Sequence, residues 1–146
     1  MSLDEIMAAF GAQVGLSDLA PDGDGAYHMD IDGMAVSVME VIESGQTVIW
    51  ARVGELPSEG QDAFCRLLLE EMSPSGEADG AIFSLQTDLN VVFLHRVEGL
   101  GLFDLDSFSS VLAKFIDLLE KWRGRLVDFR PEAEGMTEDK SDFVRI

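Results

Sequence analysis

The N-terminal residues carry apolar side chains at the spacing of an amphipathic helix. These residues recur every three or four positions, which is the period of an α-helix that buries one face. Ser2 and Glu5, three apart, predict a capping box before this run, and Gly15 predicts its C-terminal stop. The apolar stripe consists of Leu3, Ile6, Met7, Phe10 and Val14.

Two alternating apolar segments flank the pair Asp32-Gly33, which is the strongest short-range signal for a β-hairpin. Successive side chains along a strand point to opposite faces, so a two-residue turn fixes which residues share a face. We expect one face to carry the pairs Ile31 with Met34, Met29 with Val36, and Tyr27 with Val38. The other face would carry His28, Asp30, Ala35, Ser37 and Met39.

A second turn is predicted at Ser44-Gly45, ahead of a third strand. If that loop also has two residues, the pairs across it are Met39 with Trp50 and Val41 with Val48. These apolar side chains would share the outer face of a three-stranded meander. A sheet with apolar residues on both faces must cover the second face as well.

A second helix is predicted to open at Pro57, with Ser58 and Gln61 spaced as a capping box, and to end in the turn residues 73–76. Its apolar residues span a wider face of the helix than the stripe that is needed to cover one face of a sheet. Two interpretations remain open: the helix is deeply buried in its own core, or it carries a self-association surface. The second predicts a homodimer with the interface residues Phe64, Leu67, Leu68 and Met72.

The remaining segments complete the predicted fold. Strands are expected at 81–85 and 91–97, and a third helix with a broad apolar stripe begins at Asp104 or Asp106 and ends at Gly124. The element order is therefore α-β-β-β-α-β-β-α. Segregated hairpins with helices between them predict the α+β class, a sandwich of helices on a twisted antiparallel sheet.

The composition limits the class of partner. The 146 residues include 28 Asp and Glu against 10 Lys and Arg, which gives a net charge of −18. Such a charge argues against nucleic acid and anionic lipid and favours a basic or apolar partner. The length fits a single domain, predicted over residues 1–128, and the polar residues 129–146 are expected to form a flexible acidic tail.

We expect a cytoplasmic protein without a membrane segment. Acids occupy the N-terminus, where a signal peptide needs basic residues, and no apolar run approaches the ~20 residues of a membrane span. The single cysteine, Cys65, excludes an intramolecular disulfide and favours a reducing compartment.

Residues that carry chemistry are sparse in this chain. Asp22-Gly23-Asp24-Gly25 suggests a calcium loop, but the later ligand positions of an EF-hand are not matched. His28 and His95 are predicted on strands, and the spacing provides neither a nucleophile elbow nor an orienting acid. Cys65 lies on an apolar helix face and is interpreted as a buried thiol. We expect no metal, no cofactor and no catalytic residue, and hence no enzyme.

Several local stretches resemble the class I type III secretion chaperones, the Tir-chaperone-like family, over about residues 3–124. The small size and the acidity are similar as well. The stretches that carry the resemblance are Val14-Gly15-Leu16-Ser17-Asp18-Leu19, Val53-Gly54-Glu55-Leu56-Pro57, Phe64-Cys65-Arg66-Leu67-Leu68-Leu69-Glu70-Glu71-Met72, Gly80-Ala81-Ile82-Phe83-Ser84-Leu85 with Val91-Val92-Phe93-Leu94, and the last helix up to Trp122.

This resemblance implies a non-enzymatic homodimer that binds an N-terminal stretch of a secreted effector. The effector segment would be held extended around the dimer and kept secretion-competent without ATP. By analogy with the family, the candidate effector-binding residues are Leu3, Met7, Phe10, Met29, Val36 and Val38. Two alternatives stay open: a small α+β ligand-binding or enzyme domain with a concave polar pocket, and an acidic regulatory protein that sequesters a basic partner.

Overall fold

A computed structural model describes residues 2–99 and 104–130 of the chain. Its strands form one antiparallel sheet in the order β1-β2-β3-β5-β4, so that β1 and β4 are the edges. The predicted α+β class and the element order are confirmed. The elements are α1 (Leu3–Val14), β1 (Tyr27–Ile31), β2 (Met34–Val41), β3 (Gln46–Glu55), α2 (Gln61–Glu71), β4 (Ile82–Gln86), β5 (Val91–Glu98) and α3 (Leu105–Asp128).

The first hairpin has the register that the sequence predicts. Asp32 and Gly33 have φ values of 53° and 83°, and two successive positive values are typical of a type I′ turn. The Asp30 carboxylate accepts the Gly33 N–H at 2.9 Å and fixes the turn further. The observed pairs are Tyr27 with Val38, Met29 with Val36, and Ile31 with Met34.

The second hairpin differs from the prediction by two residues. β2 ends at Val41 and β3 begins at Gln46, so the connecting loop is 42–45 and not a two-residue turn. The amides of Ser44 and Gly45 both donate to the Val41 carbonyl, at 3.2 and 2.8 Å, and this turn takes up the extra residues. Because the shift is even, no side chain changes face. The observed pairs are Met39 with Val48, Val41 with Gln46, and Ser37 with Trp50.

Ser2 caps α1 as predicted, whereas Ser58 does not cap α2. The Ser2 hydroxyl accepts the Glu5 N–H at 3.2 Å, and Gly15 ends α1 in the left-handed conformation. α2 begins at Gln61 after Gly60, which makes no side-chain cap, so the predicted cap at Ser58 is wrong. The chain enters this helix through a left-handed glycine, φ 78°, and Ser58 therefore stays outside the first turn.

α3 begins after Asp104, one of its two predicted starts, but runs past its predicted end. The Asp104 carboxylate accepts the Ser107 N–H at 2.8 Å in a capping box. Gly124 does not stop the helix, because one glycine costs a helix only about 1 kcal/mol and tertiary packing compensates. Leu126 packs so closely on β3 that a Cβ added at Gly54 would lie 2.8 Å from its Cδ2 atom.

The helices and one face of the sheet share a single hydrophobic core. The buried ring of Trp122 in α3 lies edge-on to Phe64 of α2, at 6.1 Å between centroids, and to Phe83 of β4, at 5.0 Å. Phe129 also packs on Phe64, at 5.1 Å, so the packed region includes a residue of the segment predicted as tail. The rest of that segment, apart from Arg130, lies outside the described residues.

The opposite face of the sheet is partly open in the single chain. Met39, Val48, Trp50 and Phe93 are half-buried there, and Val97 is 42% exposed. Within the described residues, this face does not reach the burial of the helix-covered face, where Val36, Val38 and Ile49 are each 0% exposed.

Candidate functional site

The residues predicted to contact an effector lie together, but in the interior. Each is at most 7% exposed, and all of them belong to the hydrophobic core that the helices share with one face of the sheet. In a single chain most of them therefore support the neighbouring surface and do not form it. Their contact with an effector stays a prediction. These residues are Leu3, Met7, Phe10, Met29, Val36 and Val38.

A polar contact fixes α1 to β1 beside this cluster. The Tyr27 hydroxyl donates a hydrogen bond to the Asp4 carboxylate, which lies in the first turn of α1. Burial, together with this carboxylate, raises the pKa of Tyr27 to about 12. The phenol is therefore protonated at neutral pH and remains a donor, so α1 is held at a defined position on the sheet.

A groove of about 510 Å³ opens between the C-terminal end of α1, the end of β1 and the middle of α3. We call it the α1–α3 groove. Val14 is 49% exposed in its wall, and the acidic residues Asp30, Asp32 and Asp117 also border the groove. Phe10 is the predicted effector-contact residue that reaches this groove. The apolar lining consists of Phe10, Val14, Leu16, Ile31, Leu112 and Ile116.

The groove continues along the free edge of β1. A smaller cavity of about 240 Å³ lies between residues 15–19 and β1, and it shares Leu16 and Asp30 with the α1–α3 groove. Within the described part of the chain, β1 pairs only with β2. An edge strand offers N–H and C=O groups to which a further extended chain can hydrogen-bond. This edge and the groove together suit an extended segment with apolar side chains.

The predicted dimer residues separate into buried and accessible positions. Phe64 and Leu68 are 0% and 6% exposed, respectively, and belong to the core. Leu67 and Met72 are half-buried, and the neighbouring Leu69 is 67% exposed. The two interpretations of α2, a deeply buried helix and a self-association surface, each describe part of it. One side of the helix is core, while another side is apolar and accessible.

The end of α2 meets the edge strand β4 at Met72. The Met72 sulfur accepts the Phe83 N–H at 3.1 Å, so the end of α2 touches the start of β4. Leu85, near the other end of β4, is 40% exposed, and Leu89, in the turn that follows, is 61% exposed. We call this apolar area the α2–β4 surface, and its residues are Leu67, Leu69, Met72, Leu85 and Leu89.

Both histidines make hydrogen bonds on the partly open face of the sheet. His28 contacts Ser37 Oγ through Nδ1 at 2.7 Å and Asp22 Oδ2 through Nε2 at 2.8 Å. Sequence reasoning missed Asp22 as an orienting acid, because the loop that brings it back to β1 has no strand pattern. His95 contacts Ser84 across the β4–β5 pair, and burial lowers the pKa of His95.

The Asp22–His28–Ser37 contacts stabilise the loop before β1 and lack the surroundings of a catalytic site. Asp22 also accepts the N–H groups of Asp24 and Ala26, at 2.9 and 3.0 Å. The hydrogen bond with His28, together with these two backbone bonds, lowers the pKa of Asp22. The side chains of His28 and Asp22 are 56% and 40% exposed. A catalytic triad acts beside oxyanion donors in a water-excluded site, whereas this group is open to solvent.

Another cavity, of about 340 Å³, lies between α3, β5 and residues 77–81. Two of its three cations, Lys121 and Arg96, already have partners: Lys121 pairs with Glu77, and Arg96 pairs with Glu98 at 2.6 Å. Their charges are therefore largely compensated by neighbours. Within residues 2–99 and 104–130, no three His, Cys, Asp or Glu side chains converge as a metal ion requires. In the same residues, no helix is long and apolar enough to cross a membrane.

Sequence reasoning missed the α1–α3 groove as a unit. Its walls come from α1, the hairpin end and α3, and Val14 and Ile116 are far apart in sequence. One signal was available: Val14 and Leu16 extend apolar character beyond the point where Gly15 ends the helix. Apolar residues on both sides of a helix stop are typical of a helix end that packs against another element or a partner.

The profile of the Tir chaperone protein (CesT) family matches residues 5–123. The chain belongs to this family. The match runs from the first turn of α1 to the last third of α3, and it includes both the α1–α3 groove and the α2–β4 surface. No curated protein sequence matches the chain.

Solved structures share the fold of this family member. One is the crystal structure of the ExsC-ExsE complex, with a TM-score of 0.66 and 20% identity over 86% of this chain and 97% of that one. The HopA1-SchA chaperone-effector complex has a TM-score of 0.67 and 12% identity, over 83% and 92% of the two chains. The Yersinia pestis type III secretion chaperone SycH, in complex with a stable fragment of YscM2, has a TM-score of 0.62 and 18% identity over 81% and 97%.

Proposed function

We propose that this member of the Tir chaperone family binds an extended segment of a type III secretion effector and keeps it secretion-competent. The observation that carries the proposal is the continuous α1–α3 groove and free edge of β1 in a chain with the family's fold. Structurally similar chains are described as parts of chaperone–effector complexes. We infer that the protein acts in the cytoplasm, where an effector is held before secretion.

The contact chemistry that we propose is extended-chain binding. The edge of β1 donates main-chain hydrogen bonds to the effector segment and accepts them from it. The groove takes the apolar side chains that point from this bound segment toward it. The binding therefore needs no covalent step, no ATP and no cofactor. The local partners of Asp22, His28 and Ser37 support a non-enzymatic role, because each of these groups already serves the fold of the loop.

We further propose a homodimer that forms through the α2–β4 surface. Leu69 and Leu89 are 67% and 61% exposed, and burying these side chains against a second copy would remove their apolar surface from water. A stable homodimer interface is large and rich in apolar side chains, and an edge strand next to an apolar helix face fits that description.

The dimer proposal is tested with Leu69→Glu. This change should convert the dimer to a monomer in sedimentation velocity at micromolar concentration without unfolding the chain, because the side chain is exposed. Val127→Glu, at an exposed apolar position of α3 (75%), is the matched control and should remain dimeric. Leu68→Glu is unsuitable, because Leu68 is core. A monomeric wild type would contradict the dimer.

The effector proposal is tested by purifying the tagged chain from its native cells and mapping the bound protein. We expect one dominant partner, whose N-terminal segment is protected from hydrogen exchange, and protection of β1 and of the groove in the chaperone. Protection of a folded domain of the partner, or none at β1, would count against extended-segment binding.

A second candidate is an acidic protein that sequesters a basic partner, which the net charge of −18 favours. The salt dependence of the complex distinguishes this candidate from extended-segment binding. Loss of complex by ~0.3 M NaCl supports sequestration, because exposed charges are then largely screened. Retention of the complex with slower association supports apolar anchoring in the groove.

A further inference from the structure

We propose that the α1–α3 groove selects an extended segment in which apolar residues alternate with Lys or Arg. This inference rests on the proposed function and deepens it by naming the chemistry of the segment. It starts from the lining of the groove, which combines apolar walls with carboxylates and includes neither Lys, Arg nor His.

The apolar part of the groove is accessible and already shaped. Its volume of about 510 Å³ falls within the ~300–1,000 Å³ typical of ligand pockets. Leu16, Ile31 and Ile116 are half-buried, and Val14 is 49% exposed, so water contacts these walls in the single chain. An apolar side chain that enters the groove removes this water, and that burial provides the anchor.

Alternation along β1 decides where the charge of the segment must lie. Met29 and Ile31 point to the helix layer, whereas Asp30 between them is exposed on the other face. A segment that pairs with the edge of β1 alternates in the same way, with successive side chains on opposite faces. Its apolar residues then face the groove, and the residues between them lie beside Asp30. Opposite charges in such cross-strand positions are favourable.

The carboxylates of the groove are available for such a partner. Asp30, Asp32 and Asp117 take part in none of the ion pairs among the described residues. Asp117 also borders the neighbouring 340 Å³ cavity, so Asp30 and Asp32 are the better test positions. Residues 131–146 of the chain carry five acids against two basic residues, which disfavours them as the occupant.

The test uses three labelled synthetic peptides, each with five core residues, which differ only at the alternate positions: Leu-Arg-Leu-Arg-Leu, Leu-Ser-Leu-Ser-Leu and Leu-Glu-Leu-Glu-Leu. Fluorescence anisotropy measures their binding to the full chain at low salt. Each exposed ion pair is worth about 1.4- to 5-fold in affinity, so with two pairs the Arg peptide should bind roughly 2- to 25-fold more tightly than the Ser peptide. The Glu peptide should bind most weakly.

Two variants separate the contribution of the acidic residues at the rim of the groove, Asp30 and Asp32, from that of its apolar walls. Asp30→Asn with Asp32→Asn should bring the Arg-to-Ser ratio close to 1, since asparagine keeps the turn acceptor and tolerates the positive φ of residue 32. Asp88→Asn, in the β4–β5 turn, is the matched control and should leave the ratio unchanged. Val14→Ser should weaken the Arg and Ser peptides alike and preserve their ratio.

A wild-type ratio near 1 would overturn the selectivity, and so would a ratio that the rim variant does not change. If no peptide binds, the groove is not the site. None of these results removes the chaperone function itself. That function fails only if the co-purified partner shows no protected N-terminal segment.

Discussion

The bond between Tyr27 and Asp4 is the most direct test of how α1 is held on the sheet. Tyr27→Phe removes the hydroxyl and keeps the ring, whose position is 4% exposed. A hydrogen bond to a charged acceptor contributes about 1.5–3 kcal/mol, and the exposure of Asp4 favours the lower end. We therefore expect the free energy of unfolding to fall by about 1.5 kcal/mol, or about 3–6 °C in Tm.

The pH dependence gives this prediction a second readout. The folded-state pKa of Tyr27 is raised from 10.0 to about 12, so the protonated phenol is favoured by folding. Its contribution to stability is complete below about pH 10 and is lost as the pH rises through about 12. The difference in unfolding free energy between wild type and Tyr27→Phe should therefore shrink across this window.

Urea unfolding at pH 7 and pH 11 measures both quantities. A double-mutant cycle with Asp4→Ala separates the bond from the interaction of Asp4 with the N-terminus of α1, and it should give a coupling of about 1 kcal/mol. Additive single changes, or a difference that stays constant up to pH 11.5, would refute the role of this bond.

Three further predictions concern the rest of the chain. Gly54→Ala should lower the free energy of unfolding, measured by thermal denaturation, by about 1–3 kcal/mol. The φ of Gly54, 156°, is strained for other residues, and Leu126 fills the space that a Cβ would need. Leu126→Ala in the same chain should therefore relieve part of this loss. Cys65, predicted as a buried thiol, is only partly buried. This burial, with a smaller contribution from Asp62, raises the pKa of its thiol. Cys65 should therefore react with a thiol reagent more slowly than free cysteine at pH 8, and equal rates would contradict this effect. Deletion of 131–146 should leave the melting temperature within ~3 °C, whereas a loss above about 2 kcal/mol would mean that the segment packs.

Local patterns in the sequence were sufficient for the elements and for the first hairpin. The period of apolar residues predicts α1, and Asp32-Gly33 fixes the β1–β2 register, since both signals act between residues close in the chain. The family resemblance came from such local stretches as well. The predicted register of the second hairpin was wrong by two residues. Its four-residue loop depends on backbone hydrogen bonds to the Val41 carbonyl, which the residue types alone do not specify.

The end of α3 was misjudged for a related reason. Gly124 is a stop signal in an isolated helix, but Leu126 packs on Gly54 and Phe129 on Phe64 beyond it. Contacts with distant residues compensate for the weak local preference, and sequence periodicity carries no information about them.

What the sequence determined was therefore which side chains are apolar and on which face of each element they lie. The tertiary structure decided which of these faces meet. It put all the predicted effector residues into the core and left an accessible groove where Val14, Ile31 and Ile116 converge. It also divided the apolar face of α2 into core and the accessible α2–β4 surface. The physical reason is that burial depends on long-range packing, since an apolar residue is equally suited to a core and to a binding surface.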